Sequence, residues 1–125
     1  MATEISLEPT TVNLTVYKGD SINLRFNLKE DGTNYTIPSG GTWKGDIENP
    51  AGTALVTAGS TTGTFVLTGT NPNTFFTATV PSTTTTDLVV GTTYKYDIQY
   101  TWTDSVVNLR TFVKGTITVL DEVTT

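Results

Sequence analysis

With 125 residues, 12 acidic against 7 basic side chains and a net charge of −5, the chain has the size of one domain. It repels phosphate backbones, which argues against nucleic-acid binding. It contains no cysteine and no histidine, so disulfides, zinc–thiolate sites, thiol nucleophiles and the commonest general base near neutral pH are excluded. Threonine fills about a quarter of the positions. Together with Val, Tyr and Phe it fits pleated strands, with threonine suited to the wet faces. The opening MATEISLEPT has no basic n-region and no apolar h-region, and no apolar run approaches membrane-spanning length, so neither secretion nor a membrane is expected.

Taken in chain order, residues 1–10 form a polar N-terminal arm. VNLTV alternates Val12, Leu14 and Val16 against Asn13 and Thr15, the period of a strand with one apolar face. KGD (18–20) is a turn. SINLRFNLK sends Ile22, Leu24, Phe26 and Leu28 one way and Asn23, Arg25, Asn27 and Lys29 the other. EDGTN (30–34) carries hairpin chemistry. TWKGDIE (42–48) is a strand with Trp43 as its inward anchor, NPAG (49–52) a turn, and TALVTA (53–58) a segment able to pair with what precedes it. TFVLTG (64–69) and TFFTATV (74–80) are two short strands around TNPN. STTTTDL (82–88) has room for one helical turn, with Ser82 placed as N-cap, and Gly91 ends it. A strand then runs from about Thr92 to Trp102. TDSV turns the chain and VNLRTFVKGTITVL (107–120) returns antiparallel, with Gly115 marking a bulge or bend. DEVTT (121–125) is a polar tail. About seven to nine short strands with regular turns predict an all-β fold, an antiparallel β-sandwich over residues 11–120.

TYKYDIQYTW (93–102) decides between chemistry and core. Tyr94, Tyr96, Ile98, Tyr100 and Trp102 fall on every second position, with Lys95, Asp97, Gln99 and Thr101 between them. An aromatic face that includes isoleucine reads as core, so Tyr96 and Ile98 are expected inside. Tyr94 follows the corner DLVVGT, and its hydroxyl is expected to meet backbone near 87–91, as in a tyrosine corner. Tyr100 and Trp102, at the far end, are the candidate partner contacts.

The motifs for catalysis are weak. Asp46 with Glu48, and Asp97 with Asp104, are the acid pairs available for work on a sugar, but a spacing of two on a strand, as between Asp46 and Glu48, only means one shared face. No lysine sits in S-x-x-K, and Ser60 in GSTTG occupies the wrong slot of a nucleophile elbow. EDGTN lacks the spacing of a calcium loop, and the triplets NLT (13–15) and NYT (34–36) are expected by chance at this threonine content. No catalytic, cofactor-binding or metal-binding residue is assigned, and the protein is expected not to be an enzyme.

LTVYKGDSINLRFNL (14–28), TWKGDI (42–47) and above all GTTYKYDIQYTWTDSVVNLRTFVKGTITVLDEVT (91–124) resemble immunoglobulin-like virion modules of tailed bacteriophages. The pattern is similar to the N-terminal domain of upper-baseplate proteins and to head-associated decoration proteins. The resemblance covers about residues 10–123 and rests on strand and turn patterning. It implies an immunoglobulin-like β-sandwich and a structural role in the virion, assembled in the host cytoplasm, without cofactor. The implied partners are the major capsid protein or tail and baseplate proteins, together with further copies of this chain. Baseplate proteins continue beyond this module, whereas the sequence here runs to Thr125. Head decoration is therefore expected first, and a tail or baseplate component second. A carbohydrate-binding adhesion module is the reading from another class, and it requires Trp43, Tyr100 and Trp102 to form a flat exposed platform.

Overall fold

A computed structural model describes residues 9–121 except Asp31, Val56, Ala58 and Gly59. Most of the N-terminal arm (residues 1–8) and most of the C-terminal tail (residues 122–125) therefore lie outside the described residues, as does part of the segment 53–58.

The chain is all-β, with two sheets packed face to face. The strands are β1 (Thr10–Thr11), β2 (Leu14–Tyr17), β3 (Ile22–Asn27), β4 (Lys29–Glu30), β5 (Thr33–Asn34), β6 (Thr42–Glu48), β7 (Val66–Thr68), β8 (Phe75–Val80), β9 (Thr93–Asp104) and β10 (Val106–Leu120), with one helical turn α1 (Ser82–Thr85) between β8 and β9. One sheet has the order β1-β10-β9-β6, with β2 also on β10, and the other has the order β3-β8-β7. The small β4–β5 hairpin stands apart. Pairing is antiparallel except at β1 and β2, which run parallel to β10.

Period-two alternation produces this arrangement, because it gives each strand one apolar side to bury. Ile22 and Leu28 are buried, with Leu24 and Phe26 packed against the same core. Trp43 and Ile47 face inward from β6, as do Tyr94, Tyr96, Ile98 and Tyr100 from β9. The two sheets meet through rings: Trp43 lies 4.4 Å from Phe76 and Phe65 lies 5.6 Å from Tyr96, centroid to centroid. Turn chemistry follows the sequence. Gly19, Gly32 and Gly52 have positive φ, and the Asn49 side-chain oxygen accepts hydrogen bonds from the amides of Ala51 and Thr53 at 3.0 Å each. The Tyr94 hydroxyl accepts from the Val89 amide at 2.9 Å, the corner bond expected from DLVVGT.

Three expectations need correction. The helical turn has Pro81 in the N-cap position with no side-chain cap, and Ser82 is its first helical residue; the fixed φ of proline ends β8 and starts the turn without a hydroxyl. The register shift in β10 falls between Thr111 and Val113, not at Gly115. It places both Phe112 and Val113 in the core, which strict alternation could not do. Threonine is also not confined to wet faces, since Thr57, Thr64, Thr84 and Thr85 are buried. Three of them satisfy one another and the backbone: the Thr57 hydroxyl donates to the Thr64 carbonyl at 2.6 Å and lies 3.1 Å from the Thr84 hydroxyl. The Thr64 hydroxyl donates to the Leu55 carbonyl and accepts from the Ile47 amide. Paired in this way, the hydroxyls avoid the penalty of unsatisfied burial.

Candidate functional site

The β9–β10 hairpin is the longest feature of the molecule, and the candidate site residues lie on it or beside it. Its inner face is structural. Tyr100 is only 2% exposed. Its hydroxyl donates to the Pro38 carbonyl and accepts from the Gly41 amide, and its ring lies 4.6 Å from Trp43. It is therefore no surface contact, because β9 stays under the core cover one full alternation further than expected. Trp102 is half-buried and stacks on Tyr100 at 5.8 Å. Trp43 is buried, and its indole N–H donates to the Gly69 carbonyl at 2.8 Å. The three rings form an inward stack, not a flat exposed platform.

The outer face of the same sheet carries the charges. Asp46 and Asp97 are direct cross-strand partners on β6 and β9, with Glu48 opposite Lys95 and Lys114 on the other side of Asp97. They border a groove of about 360 Å³ that also includes Asn13 and Thr116. The pair expected from spacing, Asp97 with Asp104, is not formed: seven positions apart, the two residues point to opposite faces of β9. Asp46 with Glu48 does share a face, but the closer association is between Asp46 and Asp97. Burial pushes the Asp97 carboxyl above its ordinary range, the negative charges of Asp46 and Glu48 add to the rise, and Lys44 opposes it. Lys44 also reaches Asp46 at 3.7 Å. Among the described residues, no group of three or more His, Cys, Asp or Glu is arranged to hold a metal ion.

A raised carboxylate pKa fixes the sign of a stability effect. The folded state holds the proton of Asp97 more tightly than the unfolded chain does. Stability is therefore lost as pH rises from the ordinary carboxylate value through the folded value, and stays at the lower level above it. Asp97→Asn is expected to raise the melting temperature at pH 7 relative to the parent. The gain should shrink to nothing below the ordinary carboxylate range, as read by thermal unfolding from pH 3 to pH 7.

The third element is apolar and lies at the two ends of the hairpin. At the turn end, Val106, Val107 and Leu109 are exposed. At the opposite end, Tyr17, Val89, Val90 and Leu120 are exposed. These four come from three separate segments that converge on the end of β10: Tyr17 is the strand partner of Leu120, and the Gly91 amide donates to the Val119 carbonyl at 3.0 Å. Spacing in the sequence gives no sign that Tyr17 meets Leu120, because a parallel β2–β10 pairing is what brings the two together. Contiguous exposed apolar surface marks contact sites more often than isolated side chains do.

No protein-family model matches the chain, and no curated protein matches it either. Among solved structures, a nucleoside hydrolase-related hypothetical protein from Saccharophagus degradans, described as associated with carbohydrate metabolism, is similar over 89% of this chain and 22% of its own, with 13% sequence identity and a TM-score of 0.37. This chain thus spans about a fifth of that one, and a likeness of that size transfers neither fold nor activity. No helix among the described residues is long and apolar enough to cross a membrane.

Proposed function

We propose that this chain is a non-enzymatic structural protein of a tailed-phage particle, and within that class a decoration protein bound to the assembled head. The observation that carries the proposal is the apolar end formed by Tyr17, Val89, Val90 and Leu120, a surface suited to seating on another protein. Two further observations support it. The residues with the most specific resemblance, 91–124, include both strands of the long hairpin. The strand order β6-β9-β10 facing β3-β8-β7 also corresponds to the C-F-G and B-E-D strands of an immunoglobulin-type sandwich. The partners are then the major capsid protein and neighbouring copies of this chain. Many copies on one lattice let modest single contacts hold. Carbohydrate binding is the weaker reading, because the rings it needs are stacked inward.

The test mixes purified protein with separated heads and tails and images both. Heads are expected to be labelled, and Val89→Asp with Val90→Asp should reduce labelling at least tenfold without lowering the melting temperature. Labelling of tails alone would move the protein to the tail or baseplate. Labelling of neither would overturn the proposal.

A further inference from the structure

The outer strands of the two sheets are not equally covered. β6 is bound along its free side: the Leu55 amide donates to the Ile47 carbonyl at 2.8 Å, the Gly45 amide to the Thr62 carbonyl at 2.8 Å and the Phe65 amide to the Gly45 carbonyl at 3.0 Å. β7 has three residues, and its Leu67 amide donates to the Thr62 hydroxyl at 3.3 Å. β1 and β2 have two and four residues. β3 has six, pairs with β8 on one side and has no described strand on the other.

The polar groups on that open side can be assigned. The Leu28 amide donates to the Thr74 carbonyl at 2.8 Å, one step beyond the Asn27–Phe75 pair. Alternation along an antiparallel ladder then turns the amides and carbonyls of Phe26, Leu24 and Ile22 toward β8, and those of Asn27, Arg25 and Asn23 outward. Among the described residues, these outward groups have no hydrogen-bond partner. Native edges are usually guarded by proline, a bulge or charge. β3 has no proline, and its register with β8 is unbroken. Its single charged residue, Arg25, is drawn over the Phe75 ring of β8, 3.8 Å from the centroid. The inward side chains are unfinished too. Leu24 and Phe26 are only half-buried, whereas Ala78 and Phe76 opposite them on β8 are fully buried.

We propose that a second copy of this chain covers the edge, with β3 pairing antiparallel to β3 about a two-fold axis through Leu24. The sequence selects this register. Outward groups must meet outward groups, so a shift by one residue breaks the ladder. Centring on Arg25 sets two cations directly opposite each other, which is destabilising. Centring on Phe26 overlaps only residues 25–27 of the strand. Centring on Leu24 overlaps residues 22–26, sets Leu24 against Leu24 and Ile22 against Phe26 on the inner face, and sets each Arg25 against a neutral Asn23. The two three-stranded sheets become one continuous sheet. Growth stops there, because both of its outer strands are the short β7, and the assembly closes as a dimer instead of a fibre. The pairing needs only the purified chain and is independent of which particle the protein attaches to.

Sedimentation equilibrium and residue-resolved amide exchange, run from micromolar to millimolar concentration, test the pairing. A monomer–dimer equilibrium is expected, with the amides of Asn23, Arg25 and Asn27 gaining protection as the dimer forms. Asn23 is exposed, and the register places it opposite Arg25 twice per dimer. Asn23→Glu should therefore tighten the dimer about threefold or more, and Asn23→Lys should weaken it by a similar factor, with melting temperatures of dilute samples unchanged. A monomer at every concentration would overturn the proposal and leave the edge to a different protein. So would a dimer in which these three amides exchange as fast as in the monomer. Equal dimer affinity in both Asn23 variants would overturn the register.

Discussion

Trp43→Ala is expected to lower the unfolding free energy by about 3–5 kcal/mol, the range for removing a buried aromatic side chain. Trp43 joins the two sheets. Its ring lies 4.4 Å from Phe76 across the interface, 4.6 Å from Tyr100 on the adjacent strand and 5.8 Å from Phe112 at the bulge. Truncation therefore leaves a cavity lined by three rings, one of which, Tyr100, is held in place by the hydrogen bonds of its hydroxyl, and such a site collapses poorly. It also orphans the Gly69 carbonyl, which accepts the indole N–H at 2.8 Å. Trp43→Phe separates the two effects: most of the ring packing remains, and the lost hydrogen bond costs about 1 kcal/mol. For a domain whose total stability is about 5–15 kcal/mol, the alanine variant should show a large drop in urea midpoint. Trp102, half-buried at the hairpin, remains as the fluorescent reporter.

The parts of this fold written in local alternation were legible. β6 has the bounds that TWKGDIE gives. β3 and β8 lie within the expected runs, and the Tyr94 hydroxyl binds the corner before it. The features that were not legible arise between strands distant in sequence. Asp46 and Asp97 are 51 positions apart and become neighbours only through the β6–β9 register. Tyr17 reaches Leu120 only because β2 runs parallel to β10, a pairing that no hairpin rule supplies. Tyr100 was misplaced for a related reason. Its position in the strand period was right, but how far the core cover extends along β9 depends on the segment around Pro38 and Gly41, which has no regular pattern of its own.

Gly115→Ala is expected to destabilise the fold by about 2–4 kcal/mol, although glycine in a strand is ordinarily the weaker residue. Gly115 is the strand partner of Tyr96, and the missing side chain opens a gap in β10. The Val12 carbonyl and the Tyr96 hydroxyl meet there, with the hydroxyl donating at 2.6 Å. Asn13 holds the next step, where its side-chain oxygen accepts from both the amide and the hydroxyl of Thr116 at 3.1 Å. A Cβ on Gly115 would lie 2.0 Å from the Val12 oxygen and 2.7 Å from its carbonyl carbon. Both are backbone atoms, so the segment joining β1 and β2 would have to move off β10. Overpacking of this kind costs about 1–3 kcal/mol, and the lost hydrogen bond adds about 1 kcal/mol. Tyr96 gives the variant a specific signature. Burial raises its hydroxyl to about 12 from an ordinary value of 10.0. In the parent, stability is therefore lost as pH climbs through the interval between those two values, because the unfolded chain releases this proton first. Once Val12 is displaced and the hydroxyl meets water, Tyr96 should titrate nearer the ordinary value and the alkaline loss should flatten. Absorbance at the tyrosinate band reads the first effect and unfolding at pH 9–12 reads the second. An unshifted titration in a destabilised variant would mean that the strain was relieved without opening the gap.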